Sequence, residues 1–343
     1  MNRVEFIFKL IDVFGDGYQN PKKVKGVEHV NDVAYGPDET GNKCDFLFKG
    51  DTKGQPLLIN IHGGGFVMGD KYHRRYICSR FAERGWFVMN VNYRFCPKHQ
   101  VTAQYEDIWS ILQYIPQIAE KYGVDTSKIV LTGDSSGAYM SSYALALLSN
   151  PSLRERLGFP DLDVKISGFL GFCGPYDVTE MLTMKIPFGF VRVMAESVTG
   201  MKLKKTADVK NYENFDILSV TQYVNDAWPP TCLIYSKKDI FTKGQGELMF
   251  KTMTDLGIPV TQYISQHIQD NHCYHFNFWA KACKEALTLS YGYLDAAKEG
   301  KLLEFIEESE KARQAKLNAK GKKKAQAAVA PAVAADDATK KED

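Results

Sequence analysis

Apolar residues in this chain fall mostly into short unbroken runs rather than long alternating stretches. Runs at 57–61, 87–91, 129–131, 166–172, 232–235 and 260–264 are bounded by turn residues and separated by segments of helical spacing at 74–84, 103–122, 137–149, 243–256 and 275–294. A short strand with no polar face is covered on both sides, and its alternation with helices is the pattern of β-α-β units in a mostly parallel sheet. Two earlier segments, 27–35 and 43–48, are separated by Gly36-Pro37-Asp38 and Gly41-Asn42 and are expected to pair antiparallel. The predicted architecture is therefore α/β, with a sheet of about eight strands and helices on both faces.

Three segments stand outside this alternation. Phe6, Ile7, Leu10, Ile11 and Phe14 predict an amphipathic helix over 2–15, ending at Gly15-Asp16-Gly17. Residues 178–226 separate two core strands without a strand signal of their own, too long for an ordinary connection, and read as an inserted cap. They carry Met181, Met184, Phe188, Phe190, Met194, Met201, Tyr212 and Phe215, and the cap and N-terminal helix are expected to roof a pocket with methionine and aromatic side chains. From about Glu310 the chain turns to lysine, alanine and glutamine with no aromatic beyond Phe305, and disorder is expected there. The expected division is 1–25 as an N-terminal helix belonging to the cap, 26–177 and 227–298 as the core, 178–226 as the cap, and 299–343 as a C-terminal helix with a disordered tail.

Composition narrows the function classes. A chain of 343 residues can bury a substantial core, and its formal net charge of +2 with no basic aromatic stripe gives no sign of a nucleic-acid partner. Seven cysteines lie singly with no C-x-x-C pair, which fits a reducing compartment and supplies no zinc or dithiol motif. The N-terminal segment is interrupted by Glu5, Lys9 and Asp12, and no run reaches the length of a membrane span. A cytoplasmic, soluble protein is expected, with no cofactor or metal assigned.

The candidate chemistry lies at the ends of the core strands. Gly133-Asp134-Ser135-Ser136-Gly137 follows the apolar run at 129–131 and opens a helix, so Ser135 would stand on a tight strand-to-helix turn. A serine hydroxyl needs such a position because it becomes nucleophilic only when a base can reach it. His62-Gly63-Gly64-Gly65-Phe66 ends the strand at 57–61, and consecutive glycines leave backbone N–H groups free to approach one oxygen.

These two motifs, with Val91-Asn92-Tyr93-Arg94 between them, resemble the hormone-sensitive-lipase-like group of α/β-hydrolase carboxylesterases over roughly residues 25–295. The resemblance implies an α/β-hydrolase fold with a helical cap and an oxyanion hole built from Gly64, Gly65 and Ser136. Serine replaces the usual alanine at 136, which leaves the backbone N–H unchanged, and Pro97-Lys98 stands where the family has proline then glutamate.

The fold orders its triad serine, acid, histidine. Asp239 follows the strand at 232–235 and matches the family's acid, with Asp177 and Asp226 as competitors. His29, His62, His73 and His99 precede the serine. Of His267, His272 and His275, the family's loop histidine matches His272; His275 is expected one turn into the final helix. His272 and His275 also stand at metal-pair spacing, but no third ligand accompanies them in sequence.

The resemblance implies a serine esterase acting on short acyl esters of small molecules. An amide hydrolase of arylformamidase type, or an inert hydrolase-fold binding protein, are the alternatives.

Overall fold

The computed structural model describes residues 19–181 and 189–336. Its centre is one sheet of eight strands: β1 (Glu28–Ala34), β2 (Lys43–Phe48), β3 (Pro56–Ile61), β4 (Phe87–Val91), β5 (Asp125–Asp134), β6 (Gly168–Phe172), β7 (Thr231–Ser236) and β8 (Val260–Ser265). They lie in the order β1-β2-β4-β3-β5-β6-β7-β8. β1 and β2 pair antiparallel, β2 runs antiparallel to β4, and every pairing from β4 to β8 is parallel. All eight strands read from the apolar runs are present. β5 begins four residues earlier than its run because Asp125, Thr126, Ser127 and Lys128 extend it toward solvent with no apolar signature.

The helices are α1 (Arg75–Ala82), α2 (Val101–Tyr122), α3 (Ser136–Ser149), α4 (Pro151–Arg156), α5 (Val178–Met181), α6 (Phe190–Thr199), α7 (Gln245–Asp255), α8 (Lys281–Glu299) and α9 (Leu302–Asp336). α3 packs on β5 and β6, and its residues 136–147 are all buried. A helix apolar around its whole circumference must be covered on every side. The 178–226 segment supplies part of that cover: Tyr105 Oη lies 2.7 Å from Tyr139 Oη on α3, which donates to the Leu218 carbonyl at 2.7 Å. The described parts of that segment are helical turns, with no strand.

Two expectations are corrected. The last core helix starts at Lys281 rather than 275, because Tyr274, His275 and Phe276 are all buried in succession and form a single tight turn. Asn277, at φ −80° and ψ 76°, leaves the helical region and ends that turn. The tail expected to be disordered from about 310 continues as α9 to Asp336. Its first turns are anchored by buried Leu302 and Ile306 and by Thr261 Oγ1 donating to Glu310 Oε1 at 2.9 Å. Beyond them, glutamate, lysine, alanine and glutamine are strong helix formers, and Glu307 and Lys311 pair one turn apart at 2.5 Å. A composition too poor in apolar residues for a core is still rich in local helix propensity.

The helix predicted over 2–15 and cap residues Met184 and Phe188 lie outside the described residues. No helix among the described residues is long and apolar enough to cross a membrane.

Candidate active site

Ser135 stands between β5 and α3 with φ 52° and ψ −123°. That conformation costs a residue bearing a Cβ on the order of 1–3 kcal/mol and persists only where its surroundings enforce it. Here Ser135 N–H donates to the Phe172 carbonyl at 2.8 Å, and a Cβ on Gly137 would lie 2.0 Å from the Ile61 carbonyl oxygen. The flanking glycine lets β3 and the turn approach closely.

His272 and Asp239 reach this serine from two other strand ends. His272 Nδ1 lies 2.8 Å from Asp239 Oδ2, and His272 Nε2 lies 2.8 Å from Ser135 Oγ. An ionised carboxylate can only accept, so the ring proton sits on Nδ1 and Nε2 is left to accept from the Ser135 hydroxyl. Asp239 is held in turn: Phe241 and Thr242 N–H donate to its Oδ1 at 2.8 and 2.9 Å, and Thr242 Oγ1 donates to its Oδ2 at 2.8 Å.

Burial works against a charged imidazole at His272, but the charge and hydrogen bond of Asp239 prevail and hold its pKa up at about 9. Asp239 is likewise penalised by burial, yet the His272 imidazolium and the Thr242 donors keep its pKa below the usual value.

The competitors serve elsewhere or stand apart. Asp177 accepts from the Ser219 and Thr221 hydroxyls, each at 3.1 Å, and so ties the start of the 178–226 segment to its end. Asp226 and His267 are exposed. His275 stacks between Phe172 and Phe276, with ring centroids 4.2 and 4.0 Å away, and burial pushes its pKa down to about 3. It is a packing residue and does not pair with His272.

The glycine loop lies against the turn that carries Ser135, since a Cβ on Gly63 would lie 3.0 Å from Ser135 Cβ. Gly65 and Ser136 line the same cavity as Ser135 and His272. Ser136 opens α3, where the first N–H groups of a helix have no intrahelical acceptor. Gly64 is not among the cavity's lining residues; at φ 151° its carbonyl accepts from Val67 and Met68 N–H. A side chain there would collide with the Met68 carbonyl, 1.7 Å from a Cβ.

The cavity is partly open, with about 890 Å³ of empty space counted out into the solvent at its mouth. Its walls are mostly aliphatic, with Met181, Met194, Val198, Val209 and Leu218 contributed by the 178–226 segment. Of the four methionines expected to roof it, Met181 and Met194 line the cavity. Met201, Tyr212 and Phe215 instead pack into hydrophobic clusters.

Arg74 was not singled out in the sequence. It is buried, and its Nε and Nη2 donate to Asp134 Oδ1 and Oδ2 at 2.7 and 2.8 Å, directly beside Ser135. Burial would raise the Asp134 pKa, but the Arg74 charge and hydrogen bonds hold it down at about 2. That sign means the carboxylate's contribution to stability is present above its unfolded pKa of about 3.8 and is lost as pH falls through about 2. Arg74→Met would strand a buried carboxylate, so a loss of about 3–5 kcal/mol is expected in urea unfolding at neutral pH. A loss below about 1 kcal/mol, the scale of an exposed ion pair, would show that Asp134 does not depend on Arg74.

The BD-FAE family model matches residues 45–252. Esterase LipQ of Mycobacterium tuberculosis is 25% identical over 286 residues, covering 79% of this chain and 65% of LipQ. Arylacetamide deacetylase of Bos taurus is 38% identical over a shorter 106 residues, 29% of this chain and 27% of that protein. The chain spans between about half and just under two thirds of the length of LipQ and two further mycobacterial relatives. Among solved structures, esterase B from Lactobacillus Rhamnosis inhibited by a tributyrin phosphonate superposes with a TM-score of 0.73 at 20% identity, covering 87% of this chain and 95% of that one. At that identity the likeness is one of fold.

Proposed function

This chain belongs to the BD-FAE family, in the hormone-sensitive-lipase-like group of α/β-hydrolases, and from that premise we propose that it hydrolyses carboxylic esters of short acyl groups through an acyl-enzyme on Ser135. The observation that carries this reading is the unbroken chain from Asp239 through His272 to Ser135, with 2.8 Å at each contact.

In the proposed reaction Ser135 Oγ attacks the ester carbonyl carbon as its proton passes to His272 Nε2. Asp239 keeps the other ring proton on Nδ1 and stabilises the imidazolium. The carbonyl oxygen becomes an anion facing the N–H groups of Gly64, Gly65 and Ser136, where charge that develops only in the transition state is stabilised. His272 then gives its proton to the departing alkoxide. Water enters, loses a proton to the same nitrogen and attacks the acyl carbon, and collapse returns the proton to Ser135 as the carboxylic acid leaves. Residues 178–226 act as the cap, and their aliphatic side chains receive the apolar part of the substrate.

The test is covalent. A phosphonate ester should label the protein once per chain at Ser135 and abolish hydrolysis of p-nitrophenyl acetate; esterase B is inhibited by a reagent of that class. An unlabelled protein would place this chain among inert binders of the same fold. Across p-nitrophenyl esters of increasing length, kcat/KM should peak between acetyl and hexanoyl, and a peak at long acyl chains overturns the short-chain reading. A formanilide turned over faster than p-nitrophenyl acetate would replace ester by amide as the preferred bond.

A further inference from the structure

Two cysteines lie beside the His272 imidazole without a part in the proposed reaction. Cys173 follows the last residue of β6, and Cys273 follows His272 itself. Their φ angles are 51° and 53°, the left-handed region that residues with a Cβ seldom occupy. Cys173 is pinned there by its N–H, which donates to the Ile234 carbonyl at 2.8 Å, and Cys273 opens the tight turn at 274–276. One donor atom from each of Cys173, Cys273 and His272 lies within 4.8 Å of the other two. Neither cysteine is among the residues lining the substrate cavity.

Two sulfurs and an imidazole nitrogen form a soft donor set, which selects zinc-like cations over oxygen-seeking calcium or magnesium. Tetrahedral zinc takes sulfur at about 2.3 Å and nitrogen at about 2.0–2.1 Å, so its ligands stand roughly 3.5–3.8 Å apart. Closing three donors that lie within 4.8 Å of one another to that spacing asks for shifts of about 1 Å.

We propose that Cys173, Cys273 and His272 form a binding site for a thiophilic divalent cation of the zinc and cadmium class, and that its occupation switches the esterase off by taking the catalytic imidazole. The balance is simple. One aqueous M²⁺ meets two thiols and the imidazole, one proton leaves each thiol and a further one leaves the ring where it is protonated, and the bound M(S)₂N unit carries no net charge into the buried site. Asp134 Oδ2 lies 3.8 Å from Cys273 Sγ and stays with Arg74, to which both its oxygens are bonded. Both ring nitrogens of His272 are already in use, so whichever one the metal takes, the hydrogen bond to Asp239 or to Ser135 is lost.

The inhibitory half of this inference rests on the proposed role of His272; the metal site does not. The test titrates Cd²⁺, then Zn²⁺, into the full chain under anaerobic, thiol-free conditions and reads three quantities: metal retained per chain after desalting, thiolate-to-cadmium ultraviolet absorption, and hydrolysis of p-nitrophenyl acetate. One metal per chain is expected, with a rate loss of at least about 10⁴-fold at full occupancy, the scale expected when His272 can no longer accept the Ser135 proton, and recovery on adding EDTA. Cys173→Ser/Cys273→Ser should lose the metal and the absorption band while keeping the parental rate. Should the double variant fold poorly, Cys173→Ala and Cys273→Ala singly should each lose retention. Undiminished uptake in these variants, no stoichiometric uptake by the parent, or an inactivation that only a reductant reverses would overturn the site. Stoichiometric uptake with an unchanged rate would overturn the switch. A parent with no hydrolysis at all would count against the esterase reading, while retention and absorption would still decide the metal site.

Discussion

Ser135→Ala is expected to lower kcat by roughly 10⁴–10⁶-fold on p-nitrophenyl acetate, the range found when a triad nucleophile is removed while binding and the oxyanion donors remain. The change deletes one oxygen. Alanine keeps the Cβ, so it neither relieves nor worsens the φ of 52°, and the backbone bond from residue 135 to Phe172 is untouched. The Asp239–His272 contact also remains, which makes the loss specific to covalent chemistry. An unchanged thermal midpoint beside the collapsed rate is therefore part of the expected result. Steady-state rates and intact-mass detection of the phosphonate adduct check it together, and a variant within tenfold of the parent would mean that the attacking group lies elsewhere.

The elements behind that expectation differ in how far they could be read from sequence. The eight strands were legible because a strand buried on both faces has to be a short apolar run, and turn residues marked its ends. Where β5 runs out into solvent as Asp125 to Lys128, that signal vanishes although the hydrogen bonding continues. The turn that carries Ser135, the proposed nucleophile, was legible because a strained strand-to-helix turn needs glycines at fixed offsets. The proposed acid and base were not fixed by local pattern. Asp177 and Asp239 both follow core strands, and only the family resemblance separated them; the structure sets Asp177 to bracing the 178–226 segment. Arg74 lies 60 positions from its partner Asp134, and no periodicity links them. Cys173 and Cys273 are 100 positions apart in sequence, so their meeting beside His272 is a consequence of topology alone. Methionines and aromatics in the 178–226 segment were visible as a class. Which of them face the cavity depends on where each short helix turns, and that is decided by packing.

Asp239→Asn should leave the site assembled and still cost about 10⁴-fold in kcat, because it reverses the polarity of the hydrogen bond to His272, while the Thr242 hydroxyl that also bonds Oδ2 can turn to accept. Oδ1 of residue 239 faces two backbone N–H groups, from Phe241 and Thr242, so it must remain an acceptor. The amide oxygen will take that position and the NH₂ will point at His272 Nδ1. Facing a donor, Nδ1 becomes the acceptor and the ring proton moves to Nε2, where it can no longer receive the proton of Ser135. The pH dependence follows from the same charge. Asp239 raises the His272 pKa to about 9, so in the parent the neutral base accumulates, and kcat/KM climbs, as pH rises from the ordinary imidazole value of 6.5 toward that point. Removing the carboxylate lets burial prevail and the His272 pKa falls, so the variant's ascending limb moves to lower pH. Its deficit should then be greatest on the alkaline plateau and smaller near pH 6, where the parent's base is mostly protonated. Parallel pH profiles measure this directly. A limb that stays in place would mean that a group other than His272 controls it, and a shift to higher pH would contradict the role assigned to Asp239.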